Sequence, residues 1–136
     1  MIKWKAVALL LGLMLLAPFG VAAPVCVTDD QGEELCLDRQ AKRIATLSPG
    51  ATELAFAAGA GDKVVAVVNY SDYPEAALKL PLVGNHTRID LEALLALKPD
   101  LVITWRTGNP PAQMEMLRAL GLPMFAIEPR TFEGVS

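Results

Sequence analysis

The sequence of 136 residues has few of the side chains from which catalytic and metal centres are built. It contains one histidine and two cysteines, and aromatic residues account for 6% of it. These residues form no cluster at metal-ligand spacing. Ser48 lies in L-S-P-G rather than in the G-x-S-x-G motif of a nucleophilic serine. Gly59-Ala60-Gly61 follows a predicted helix, whereas a phosphate-binding loop follows a strand. We therefore expect no catalytic residue, no metal site and no resident cofactor.

The chain also lacks an apolar run long enough to cross a bilayer. The run from Ala6 to Ala17 is about a dozen residues, against the ~20 that a spanning helix needs. Lys3 and Lys5 precede it, and Val21-Ala22-Ala23 supplies the small residues that a signal peptidase reads. We expect residues 1–23 to be a signal peptide that exports the chain to the periplasm and leaves no membrane anchor.

A basic surface is missing as well. Removing residues 1–23 takes away two lysines and no acidic residue, so the net charge changes from −3 to −5. An acidic domain with scattered arginines has no electrostatic footprint for nucleic acid. The length that remains suits one domain.

The two cysteines are predicted to close a β-hairpin over residues 24–42. Apolar residues alternate with Cys26 and Cys36, and Asp30-Gln31-Gly32 lies midway between them as a three-residue loop with Gly32 in the left-handed position. This register places Cys26 opposite Cys36, within disulfide distance. An exported chain favours such a disulfide, whereas a redox-active pair is usually closer in sequence, as in C-x-x-C.

Strands and helices alternate after the hairpin, which predicts an α/β fold with a mostly parallel, Rossmann-like sheet. We assign residues 43–136 to this lobe. The predicted strands are 43–47, 63–68, 101–104 and 124–127, and the predicted helices are 49–59, 75–80, 90–98, 111–120 and one beginning at Thr131.

The helix that begins at Asp90 has the clearest end signals. Asp90 is the predicted N-cap and Glu92 lies in the first turn, where the helix dipole favours an acid. Lys98 is predicted to close the helix near the negative end of the dipole, and Pro99 to stop it.

Recognition side chains are predicted to gather at the carboxyl edge of the sheet, where parallel α/β proteins bind ligands. Ser48 follows the first strand, Tyr70 the second and Trp105 the third, while His86 lies in the loop before the capped helix. Each also has a simpler interpretation, because Trp105 could cap the core, Tyr70 could pack a loop, and His86 could be exposed. Other side chains at these strand ends are Tyr73, Arg106, Glu128 and Arg130.

Four segments carry a family resemblance: LSPGATELAFAAG (47–59), YSDYP (70–74), DLEALLALKPDLVITWRTGN (90–109) and LRALGLP (117–123). Together they resemble the periplasmic cobalamin-binding proteins, within the class of substrate-binding proteins that also serve iron–siderophore and haem importers. The resemblance implies two α/β lobes joined by a long helix, with the ligand in the cleft between them. This chain would supply the first lobe, and we expect the second lobe to lie beyond Ser136.

The resemblance also implies roles for individual residues. Tyr70 and Trp105 match positions that contact the corrin ring, and His86 falls where related cobalamin binders can carry Trp. Glu92 matches a surface glutamate that docks onto the membrane permease, which works with its ATPase. The implied protein is a monomeric carrier of cobalamin and not an enzyme.

Two other interpretations stay open. One is binding of haem or a ferric siderophore on the same scaffold, with His86 as a possible metal ligand. The other, from a different class, is a periplasmic enzyme or redox protein that uses Cys26 and Cys36.

Overall fold

The computed structural model describes residues 23–128. The predicted signal peptide up to residue 22, Arg130 and the helix predicted from Thr131 lie outside the described residues. No helix between residues 23 and 128 has the length and apolarity needed to span a membrane.

The described residues form eight short strands and three α-helices. The strands are β1 (Val25–Thr28), β2 (Glu34–Leu37), β3 (Ile44–Thr46), β4 (Val64–Ala66), β5 (Gly84–Asn85), β6 (Arg88–Ile89), β7 (Leu101–Trp105) and β8 (Met124–Ile127). The helices are α1 (Pro49–Ala57), α2 (Leu91–Ala96) and α3 (Pro111–Ala119), with 3-10 segments at Gly61–Lys63 and Glu75–Lys79.

A four-stranded parallel sheet in the order β4-β3-β7-β8 confirms the predicted α/β fold. From β3 the chain passes through α1 to β4 on one side, and from β7 it passes through α3 to β8 on the other. The strand order therefore reverses between β3 and β7. In open parallel sheets such a switch point leaves a crevice beyond the carboxyl ends of the two strands.

Alternate residues of each strand point to opposite sides of the sheet. Because apolar residues lie on both sides, helices cover both faces. Ala45 and Leu47 face the side that carries Leu94 of α2 and Leu117 of α3. Ile44 faces the other side, which packs against α1. Leu94 and Leu117 are fully buried, and burial of each such side chain contributes about 2–3 kcal/mol.

The hairpin of β1 and β2 has the predicted register. Cys26 pairs with Cys36 and the two form a disulfide, and Gly32 has the left-handed φ of 80°. The backbone N–H of Asp29 donates to Glu33 O and so closes the three-residue loop.

The tip of the hairpin contacts the outer edge of β8. The N–H of Asp30 donates to Ala126 O at 3.1 Å, and the Asp30 carboxylate accepts from the Glu128 N–H at 2.7 Å. The Asp29 carboxylate accepts from the Ala126 N–H. These bonds join the hairpin to the lobe at a strand edge.

The predicted end of the capped helix at Lys98 is two residues late, although Lys98 does lie at the C-terminal end, where its N–H donates to Leu95 O. Asp90 does cap it, since its carboxylate accepts from the Ala93 N–H, but α2 ends at Ala96 and Lys98 has a left-handed φ of 51°. The Arg43 guanidinium donates twice to Leu97 O, at 3.0 and 2.7 Å. Arg43, brought in from the start of β3, thus provides the cation at the end of this helix.

The predicted strand 63–68 shortens to β4 because Lys63 belongs to a 3-10 turn. Beyond it, Val67 bonds to the segment around Leu82, donating to Pro81 O and accepting from the Val83 N–H. The antiparallel pair β5 and β6 was not predicted.

Candidate functional site

An open hollow of about 370 Å³ lies at the switch point, beyond the carboxyl ends of β3 and β7. All four residues predicted to bind ligand line it, although they come from four separate parts of the chain. The lining residues are Ser48, Pro49, Gly50, Tyr70, His86 and Trp105. None of the six carries a permanent charge, so the hollow suits an apolar or neutral surface rather than an ion.

Ser48 lies two residues beyond the end of β3 and is buried. Its hydroxyl oxygen accepts from the Ala51 N–H at 3.1 Å and caps α1, which satisfies one of the free amides at the helix start. Ser48 therefore shapes the wall by placing the first turn of α1, including Gly50, against the hollow.

Tyr70 projects from the loop after β4 with 77% of its surface exposed. Its φ is 68°, a conformation in which Cβ crowds the following carbonyl and which bulky residues rarely adopt. The neighbouring Ser71 fixes the loop, because its N–H donates to Val68 O and its hydroxyl accepts from Thr52 in α1. Tyr73 is also exposed but does not line the hollow.

His86 occupies the turn between β5 and β6. The Asn85 carboxamide oxygen accepts from the N–H groups of Thr87 and Arg88 and from the Thr87 hydroxyl, which makes a local side-chain turn. The Gln113 carboxamide then pairs with both the N–H and the C=O of Ile89, each at 2.8 Å. Sequence analysis missed this hairpin, although N-H-T-R at 85–88 contains the Asn that signals such a turn.

Trp105 ends β7, and its ring lies 5.4 Å from the His86 ring at an interplanar angle of 43°. A Cβ on Gly108 would overlap the six-membered ring of Trp105. Glycine is thus required at 108 for the indole to lie across the backbone there. The indole Nε1 is buried and has no hydrogen-bond partner among residues 23–128.

Asn109 is a buried residue that sequence analysis did not single out. Its amide nitrogen donates to Leu47 O and to His86 O, each at 2.9 Å. Its amide oxygen accepts from the Trp105 N–H at 2.6 Å. Asn109 therefore joins three of the segments that surround the hollow.

The other predicted residues lie outside the hollow. Glu92 is exposed in the first turn of α2. Arg106 lines a separate cavity beneath the hairpin, and Glu128 accepts from the Thr107 hydroxyl.

Within residues 23–128, the one group of three potential metal ligands is Cys26, Glu34 and Cys36. Both sulfur atoms are held in the disulfide, so neither is the free thiolate that binds metals. His86 is the sole histidine of the chain, and no carboxylate lines the hollow beside it.

Residues 44–136 match the family model described as periplasmic binding protein. The vitamin B12-binding protein of Vibrio cholerae serotype O1 (strain ATCC 39541 / Classical Ogawa 395 / O395) is 50% identical over 96 residues, which is 71% of this chain and 35% of that relative. This chain thus spans about a third of the length of the curated relatives it matches.

Two solved structures show the same fold. The crystal structure of the periplasmic vitamin B12-binding protein BtuF of Vibrio cholerae superposes with a TM-score of 0.62 and 55% identity, covering 63% of this chain and 34% of that one. The periplasmic heme-binding protein RhuT from Roseiflexus sp. RS-1, in apo form, gives a TM-score of 0.61 and 36% identity, covering 65% and 34%. These proteins are named for binding and not for catalysis.

Proposed function

The chain belongs to the periplasmic binding protein family, and on that premise we propose that it is the first lobe of a protein that captures cobalamin in the periplasm for an ABC importer. In this role it is an exported, monomeric carrier without enzymatic activity. The relatives that share half of its residues over the lobe are named for binding vitamin B12, which supports cobalamin over other ligands.

The observation that carries this proposal is the uncharged aromatic wall at the switch point. Tyr70, His86 and Trp105 present ring surfaces to one hollow, and flat rings suit a large, partly apolar macrocycle. Tyr70 and Trp105 contact the corrin ring in this proposal. His86 and Ser48 complete the wall.

Glu92 serves a different partner in the proposal. Its exposed position on α2, outside the hollow, leaves it free to pair with a cationic group on the inner-membrane permease while ligand is held. Such a rim charge chiefly sets orientation and association rate.

A single lobe supplies only one face of the binding site. The hollow is open and Tyr70 is 77% exposed, so a ligand seated there keeps its other face in water. Because the desolvation gain is partial while the cost of immobilising the ligand is paid in full, we expect this chain alone to bind cobalamin weakly.

Equilibrium dialysis of cyanocobalamin, with the bound fraction read from the absorbance of the ligand itself, tests the choice of ligand and the weak binding by a single lobe. We compare the 136-residue chain with a chimera in which the rest of the Vibrio cholerae vitamin B12-binding protein follows the lobe. The chimera should bind, and Trp105→Ala or Tyr70→Ala should weaken that binding, whereas Tyr73→Ala, which changes an exposed Tyr outside the hollow, should not. Micromolar or tighter binding by the 136-residue chain would overturn the half-site proposal. A folded chimera without cobalamin binding would overturn the choice of ligand.

Haem is the second candidate, because an imidazole lines the hollow and could ligate iron. In that case haem gives a Soret band with the chimera that disappears in His86→Ala. If the chimera gives no Soret band on haem addition and His86→Ala still binds cobalamin, then cobalamin is the ligand and haem is not.

A further inference from the structure

We propose that Asn109 is a positioning residue that fixes His86 and Trp105 against the end of β3 and so sets the shape of the aromatic hollow. The inference rests on the proposed function only in treating the hollow as the ligand surface. Asn109 itself is 3% exposed and does not line the hollow, so it acts through its neighbours.

The three backbone groups that Asn109 binds belong to segments far apart in sequence. Leu47 O lies at the end of β3, 62 residues away, and His86 O lies in the β5–β6 turn, 23 residues away. The Trp105 N–H lies at the end of β7. Within residues 23–128 no other side chain donates to Leu47 O or to His86 O, so this amide makes the one side-chain hydrogen-bond connection between these two carbonyl groups.

Only a carboxamide at this distance from the backbone can form all three hydrogen bonds. Two donors and one acceptor are needed within a single planar group, and the Asn side chain offers two N–H bonds and a carbonyl oxygen. All three bonds lie between 2.6 and 2.9 Å. A buried amide paired on both sides is a rigid junction, because any rotation breaks at least one bond in a medium of low dielectric constant.

The consequence is a fixed distance between two rings. Asn109 forms hydrogen bonds with the backbone of both His86 and Trp105. The ring centroids of these two residues are 5.4 Å apart. Tyr70 belongs to the loop after β4, which bonds to α1 and to Gly84 rather than to Asn109. Loss of Asn109 should therefore disturb the His86–Trp105 part of the wall and leave the Tyr70 loop in place.

The test measures ring contact without any ligand. The whole chain carries Trp4→Phe, so that Trp105 is its only tryptophan, and near-ultraviolet circular dichroism and emission are recorded with and without His86→Ala. In the parent, His86→Ala should change the Trp105 signal because the rings are in contact. In Asn109→Asp, which keeps the oxygen but replaces the donating NH2, and in Asn109→Ala, that change should fall to less than half.

Asp100→Asn is the matched control. The Asp100 carboxylate accepts from the N–H groups of Lys42 and Arg43 at the opposite end of the sheet, so this variant should lower the melting temperature and keep the full effect of His86→Ala. A merely structural Asn109 would behave in the same way as Asp100.

Three results would overturn the proposal. They are an undiminished His86 effect in a folded Asn109 variant, no His86 effect in the parent, and loss of cooperative melting in both Asn109 variants, which would make the residue necessary for folding itself. Cobalamin titration of the same proteins is a separate measurement. Failure of the ligand proposal would therefore leave the ring-contact result standing, and the converse also holds.

Discussion

Tyr70 is predicted to lower the stability of the lobe in which it sits. Its φ of 68° costs a residue with a Cβ about 1–2 kcal/mol relative to the right-handed regions, whereas glycine adopts this conformation freely. Bulky residues persist in such conformations where the surrounding structure holds them, and these positions cluster at ligand-binding sites. Tyr70 lines the hollow, which fits that pattern.

The comparison of Tyr70→Gly with Tyr70→Ala isolates this cost. Both variants lose the same aromatic side chain, of which about a quarter is buried. At roughly 25 cal/mol per Å2 over some 50 Å2, that loss is on the order of 1 kcal/mol in each. The backbone cost differs, because alanine retains its Cβ. Tyr70→Gly should be more stable than Tyr70→Ala by about 1 kcal/mol after the entropy of the unfolded glycine chain is included.

The same pair of substitutions at Leu54 provides the control. Leu54 lies within α1 and is about half exposed, and there glycine should be less stable than alanine by about 1 kcal/mol. Thermal denaturation followed by far-ultraviolet circular dichroism measures both pairs, since 1 kcal/mol shifts Tm by about 4–8 °C in a domain of this size. If Tyr70→Gly is less stable than Tyr70→Ala, as is expected for the same pair at Leu54, then the left-handed φ of Tyr70 does not lower the stability of the lobe.

Two further predictions follow from single contacts. Gly108→Ala should displace the Trp105 ring, and so change the Trp105 emission spectrum and weaken cobalamin binding by the chimera, whereas Gly50→Ala, which lines the same hollow but meets nothing within 4 Å, should leave the spectrum unchanged. An unaltered spectrum in Gly108→Ala would contradict the packing described. Reduction of Cys26–Cys36 should destabilise the hairpin by about 2.5–3 kcal/mol in the chain-entropy model, with two titratable thiols released; thiols that react before reduction would contradict the disulfide and favour the redox interpretation.

The α/β alternation and the hairpin were predictable because their signals are local. Asp90 caps α2, and Gly32 takes the turn position, through contacts within a few residues of each in sequence. The predicted end of α2 was two residues late, and the cation that bonds the carbonyl at this end, the Arg43 guanidinium, comes from 54 residues away. Periodicity and capping rules contain no information on such a partner.

The candidate site was predicted as a set of residue types at strand ends, but its geometry was not. Which strands are neighbours, β3 with β7 rather than β4 with β7, determines that Ser48 and Trp105 meet. The role of Asn109 could not be predicted, because a polar residue in T-G-N is typical of an ordinary loop. Its three partners are backbone groups, and no residue type marks them in the sequence.

The contacts at the outer strands limit how another protein segment can join this sheet. Beside β4, Val67 is already paired with the segment around Leu82, and beside β8, Ala126 and Glu128 are bonded to the hairpin tip. Open strand edges are the usual templates for aggregation and for capture of a foreign strand. Both flanks of this sheet are thus occupied by its own chain at these residues. The lobe is protected from edge-to-edge polymerisation at these residues, so a partner segment cannot extend the sheet there and would have to contact helices or loops instead.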